Sequence, residues 1–80
     1  MGNRIYVLIN TKPGKTEDVQ AAVKKLNYVT VVDIITGRYD IIAILEGDEL
    51  NQLLNTIARE LHRISGIEKT ETLVSVETNQ

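Results

Sequence analysis

The chain has no cysteine and a single histidine, His62. The first absence removes disulfides and thiolate metal sites, and the second removes a His-pair metal site. No apolar run is long enough to read as a membrane span or a signal-peptide core, so a cytoplasmic chain without membrane contact is expected. Positive charge is not in excess: nine Lys and Arg stand against 11 Asp and Glu, for a formal net charge of −2. Lys24, Lys25, Arg59 and Arg63 are diluted among acids, so no direct nucleic-acid contact is expected, because such binders carry a concentrated basic face. Length is also short. Eighty residues make one domain, and a domain near this size buries only ~60–65% of its unfolded surface. Small cores are commonly supported by disulfides, a metal or oligomerisation. With the first two removed, oligomerisation is the support that remains.

What is present is a regular alternation of elements. Arg4–Asn10 reads as a strand, with Ile5, Val7 and Ile9 on one side and Tyr6 and Leu8 on the other. Pro13-Gly14 ends it. Thr16 is placed as an N-cap, with Glu17 and Asp18 at the positive end of a helix dipole. Val19, Ala22, Val23 and Leu26 then make an apolar stripe, giving a helix from about Thr16 to Leu26. Val29–Ile35 and Ile41–Leu45 are the second and third strands. Asp48 is a plausible cap for a second helix. Its stripe is Leu50, Leu53, Leu54, Ile57, Leu61 and Ile64, and Ser65-Gly66 is its stop. Ile67–Glu77 reads as the last strand, and Thr78-Asn79-Gln80 as a tail.

This order predicts an α+β fold: a ferredoxin-like β-α-β-β-α-β sandwich, with a four-stranded antiparallel sheet and two helices on one face. The first three strands read as apolar on both sides. Val29 and Val31 oppose Val32 and Ile34, and Ile41, Ala43 and Leu45 oppose Ile42 and Ile44. A sheet face open to water should alternate with polar residues. An uncovered face this apolar calls for a second copy packed sheet to sheet.

Candidate functional residues form two clusters. Thr36-Gly37-Arg38-Tyr39-Asp40 joins the second and third strands, where Gly37 can supply the φ > 0 of a short hairpin loop. Tyr39 and Asp40 stand at the mouth of the returning strand. Thr70-Glu71-Thr72 lies on the last strand, where Thr70 and Thr72 present both hydroxyls to one side. Each cluster has an ordinary structural explanation: Asp bonds local backbone near turns, and Thr is common on exposed strands. Together, a carboxylate, paired hydroxyls and free strand-edge groups can hold the ammonium and carboxylate of an amino acid. Asn10-Thr11-Lys12-Pro13-Gly14-Lys15 lacks the spacing of a phosphate-binding loop. His62 near a helix end reads as a dipole partner or surface residue, and Ser65 and Ser75 join no triad.

The chain resembles the RAM domain, the ligand-sensing and oligomerising half of Lrp/AsnC-type transcription regulators, in stand-alone form. The matching stretches run from Tyr6-Val7-Leu8-Ile9-Asn10-Thr11 with Pro13-Gly14, through Val31 to Asp40, to Ile64-Ser65-Gly66-Ile67 and Thr70-Glu71-Thr72-Leu73-Val74. The resemblance implies an αβ-sandwich, dimers through sheet packing, rings of dimers, and an amino-acid effector bound where dimers meet. It carries the effector role onto Gly37, Tyr39, Asp40, Thr70 and Thr72. It implies no cofactor and no enzymatic activity. Regulators of this type carry a helix-turn-helix domain ahead of this module. Here Met1-Gly2-Asn3 leads straight into the first strand, so residues 1–80 are expected to form a single RAM-like domain without a DNA-binding domain. Hetero-assembly with full-length regulators is permitted. Two other readings compete: a dimeric α/β-barrel enzyme, which would want a His or acid between its sheets, and a purely structural partner of full-length regulators.

Overall fold

A computed structural model of the chain describes residues 2–77. The elements follow in the order β1 (Asn3–Thr11), α1 (Thr16–Lys24), β2 (Val29–Ile34), β3 (Ile41–Gly47), α2 (Leu50–Arg59), a 3₁₀ turn (Leu61–Arg63) and β4 (Ile67–Val74). The four strands form one antiparallel sheet in the order β2-β3-β1-β4. This is the split β-α-β arrangement that the pattern predicts, with β1 and β3 central and β2 and β4 at the edges.

The core lies between the sheet and the two helices. Ile5, Val7 and Ile9 of β1 and Ile41, Ala43 and Leu45 of β3 are fully buried, against Val19 and Val23 of α1, Leu53 of α2, and Leu61. Each such aliphatic side chain contributes up to ~1.5–3 kcal/mol by leaving water. Register fixes the other face. Cα partners across an antiparallel pair point the same way. Tyr6 pairs with Ile44 and Leu73, and Leu8 with Ile42 and Glu71. These residues face away from the helices.

Several boundaries differ from the sequence reading. Thr16 is not the cap of α1: Lys15 holds that position without a side-chain bond, because the Thr16 hydroxyl is engaged by Thr11 instead. Lys25 and Leu26 fall in the turn after α1. Asp48 does not cap α2 either; Glu49 precedes it, also without a side-chain cap bond. The apolar stripe through Leu61 and Ile64 spans a break, since α2 ends at Arg59 and a 3₁₀ turn follows. β3 runs on to Gly47. β4 stops at Val74, leaving Val76 exposed. A register shift between Val29 and Val31 sends Val29, Val32 and Ile34 to the helix side, and Val31 and Asp33 to the open side. The second strand is therefore not apolar on both faces as Val29/Val31 against Val32/Ile34 would require. The tail reading of Thr78-Asn79-Gln80 lies outside the described residues.

Candidate functional site

The β2–β3 connection closes with two backbone bonds. The Asp40 amide donates to the Ile9 carbonyl at 2.9 Å, and the Ile35 amide to the Asp40 carbonyl at 2.8 Å. Gly37 has φ +116°, a region that side chains disfavour. A Cβ there would meet nothing within 4 Å, so backbone conformation alone asks for glycine. Asn10 of β1 steadies the loop, donating from Nδ2 to the Arg38 carbonyl at 2.8 Å.

Asp40 is held at its carboxylate. Oδ2 accepts from the Thr11 amide at 2.8 Å and from the Thr11 hydroxyl at 3.3 Å. Thr11 Oγ1 has one proton to give. With that proton on Asp40, Thr16 at the start of α1 donates to Thr11 Oγ1 across 2.7 Å. The hairpin, the bulged end of β1 and the first turn of α1 are thus joined through one buried threonine. Oδ1 of Asp40 keeps no protein partner among the described residues.

Tyr39 leaves the hairpin on the other side. Its hydroxyl donates to Glu71 Oε1. Glu71 is in register with Leu8, so this bond lies over the open face of the sheet. It is the main reason the Tyr39 phenol is held above its ordinary value of 10.0, with partial desolvation and the Glu71 charge adding to it. The sequence reading passed over Glu71 in favour of the threonines flanking it. The missed signal was strand alternation: a residue flanked by two helix-side positions faces the open side.

Thr70 and Thr72 do share one side, and it is the helix side. They pair with Ile9 and Val7, whose side chains are in the core. The helices do not extend over this edge strand. Thr72 is exposed and Thr70 half-exposed, with Thr70 Oγ1 3.4 Å from His62 Nε2. The structure therefore brings Gly37, Tyr39 and Asp40 together at one end of the sheet. It places Thr70 and Thr72 apart from Tyr39, across the sheet, and among the described residues no hydrogen bond joins either threonine to Asp40.

The open face has an apolar centre and polar ends. Tyr6, Leu8, Ile42 and Ile44 are half-buried, and Leu73 and Val31 remain 44% and 36% exposed. At one end Arg4 Nε meets Glu46 Oε2 at 2.8 Å. That bond is the first cause of the depressed Glu46 carboxyl. At the other end stand Asp33, Asn10, Lys69 and the Tyr39–Glu71 pair. Among the described residues no group of three or more His, Cys, Asp or Glu is placed to hold a metal. None of their helices is long and apolar enough to cross a membrane.

A split β-α-β sandwich, half of its sheet uncovered and a polar hairpin at one end, belongs to the ferredoxin-like class of α+β domains. Within that class the chain belongs to the Lrp/AsnC ligand binding domain family, whose family model matches residues 4–79. It is 32% identical over 69 residues to an uncharacterized HTH-type transcriptional regulator of Pyrococcus abyssi, covering 86% of this chain and 44% of that relative. The chain thus spans less than half the length of this relative. Among solved structures it is similar to TTHA0845 of Thermus thermophilus, with a TM-score of 0.89, 24% identity and 98% of both chains covered. It is also similar to the transcriptional regulator NMB0573 of Neisseria meningitidis in its L-Met complex, with a TM-score of 0.82, 16% identity, and 98% of this chain and 52% of that one covered. At these identities the two structures establish the fold.

Proposed function

We propose that this chain is an amino-acid-binding, oligomeric regulatory module, and that its effector site is completed by a neighbouring copy. The observation that carries this reading is the uncovered sheet face. Tyr6, Leu8, Ile42, Ile44 and Leu73 form a contiguous apolar centre, and no helix of the described residues covers it. A second copy packed sheet to sheet covers it, and pairs of copies can assemble into rings. The two polar clusters fit the same scheme. Tyr39 reaches the open face, whereas Thr70 and Thr72 lie on the helix side of the same sheet, so one small ligand does not touch all of them within one protomer. The hairpin of one copy and the β4 threonines of another can enclose it together.

In this reading Oδ1 of Asp40 accepts from the ligand ammonium while Thr11 fixes Oδ2. Gly37 and Tyr39 shape the loop, and Thr70 and Thr72 bond the ligand's polar groups. The family's description as a ligand binding domain and the L-Met complex of the Neisseria relative support an amino acid as effector. No catalytic role is assigned. The centre of the open face offers aliphatic groups, and His62 sits in the 3₁₀ turn beside Thr70, on the helix side. The curated relatives are transcriptional regulators. With the cations of residues 1–80 dispersed, we read this module as cytoplasmic, as making no direct DNA contact of its own, and as able to assemble with regulators of that kind.

Calorimetry with a panel of amino acids tests the site. A charge-assisted hydrogen bond contributes ~1.5–3 kcal/mol, so Asp40→Ala weakens binding by about tenfold or more. Thr72→Val, which keeps shape and removes the hydroxyl, weakens it without loss of fold. Unchanged affinity in both variants contradicts the site assignment.

A further inference from the structure

The proposed site leaves Glu71 without a role, yet Glu71 makes the one side-chain hydrogen bond between the hairpin and β4 among the described residues. We propose that Glu71 is the residue through which β4 acts on the effector hairpin: a positioning residue that receives the Tyr39 hydroxyl and holds the 36–40 loop against the open end of the sheet. This rests on reading that hairpin as part of the effector site.

Three observations lead here. First, the bond is long-range: Tyr39 and Glu71 lie 32 residues apart and span two strand boundaries, because β1 separates β3 from β4 in the sheet. Tyr39 therefore bridges over β1 rather than bonding a neighbour, and a turn alone has no need of it. Second, the hairpin's other attachments end on β1. Asn10 holds the Arg38 carbonyl, and Thr11 holds the Asp40 carboxylate. The Asp40 amide also holds the Ile9 carbonyl. Glu71 adds a point on a different strand, β4, and attachment to β4 as well as β1 restricts rotation of the loop about β1. Third, the acceptor is close to the pairing surface. Glu71 pairs in register with Leu8, and Leu73 two residues on with Tyr6, so the clasp sits at the rim of the apolar centre. A partner sheet packed there excludes water from the bond, and an electrostatic contact strengthens as water leaves. Loop position and sheet pairing are thereby linked through one side chain.

The test uses the full chain with Tyr39→Phe, Glu71→Ala, Glu71→Gln and the Tyr39→Phe/Glu71→Ala double variant, and has two readouts. Amide hydrogen exchange of residues 36–40 in the unliganded protein is expected to accelerate about fivefold to tenfold in both of the first two variants, as for loss of one solvent-exposed hydrogen bond. The double variant is expected to exchange no faster than either single one, since the two side chains act as one pair. Glu71→Gln keeps an acceptor oxygen and is expected to recover most of the protection. Exchange of the β1 and β3 core amides stays unchanged, which separates loss of the clasp from loss of fold. The second readout is affinity for whichever amino acid the unmodified chain binds in calorimetry, expected to fall in the same order. Unaltered exchange in Tyr39→Phe and Glu71→Ala overturns the clasp whether or not a ligand binds. Altered exchange with unaltered affinity overturns the positioning role. Failure of the unmodified chain to bind any amino acid overturns the positioning role together with the effector reading, and exchange then reports on the clasp alone.

Discussion

Single side chains in this molecule decide where the chain may turn. Gly66 is the sharpest case. Its φ is +97°, and a Cβ would approach Val19 Cγ2 to 3.0 Å and Lys15 Cβ to 3.1 Å. The Gly66 carbonyl also accepts from the Lys12 amide at 2.8 Å, so the turn before β4 is pressed onto the loop before α1. Gly66→Ala then meets strain from the backbone and crowding from Val19 together. The expected loss is about 1–3 kcal/mol of stability, read as a lower urea midpoint with an unchanged slope. In the sequence, Gly66 reads as the stop of a helix. That helix ends at Arg59, seven residues earlier by number, and the demand for glycine comes from close approach of another part of the chain, which no local pattern reveals.

At the level of elements, the sheet and helices were legible because their patterns are distinct. Short apolar runs rich in β-branched residues over Ile5 to Ile9 and Ile41 to Leu45 mark both central strands, and the stripe at Leu50, Leu53 and Ile57 marks α2. What stayed hidden needed a neighbour. The shift at Val29/Val31 reverses which valine of β2 faces the core, and alternation within β2 carries no sign of it. The two candidate clusters were legible as polar interruptions of apolar strands, but their opposite faces follow only from the register of β4 on β1. The Tyr39–Glu71 bond between hairpin and β4 carries a pH signature. The folded-state phenol lies above its ordinary value of 10.0, so the bond's contribution is fully present below about pH 10 and is lost as pH rises through the folded-state value. NMR of ring-labelled tyrosine is expected to show Tyr39 titrating at higher pH in the unmodified chain than in Glu71→Ala. Equal midpoints contradict the bond.

For the whole molecule the decisive feature is a sheet with one finished face. Over β1 and β3 the helix side is closed by fully buried aliphatics, and the other presents Leu8, Ile42, Ile44 and their neighbours. A charge at the centre of that face has no counter-charge to meet in a symmetric pair, where each copy would bring its own. Ile42→Asp is therefore expected to shift sedimentation toward monomer at micromolar concentration, while circular dichroism keeps the α+β signature. An unaltered assembly would move the pairing surface elsewhere. The proposed function joins two properties, assembly and amino-acid recognition, and native mass spectrometry of the unmodified chain with a panel of amino acids observes both at once. An even-numbered assembly that carries amino-acid adducts is expected, with occupancy lost in Asp40→Ala. A stable monomer free of adducts at millimolar amino acid would contradict it.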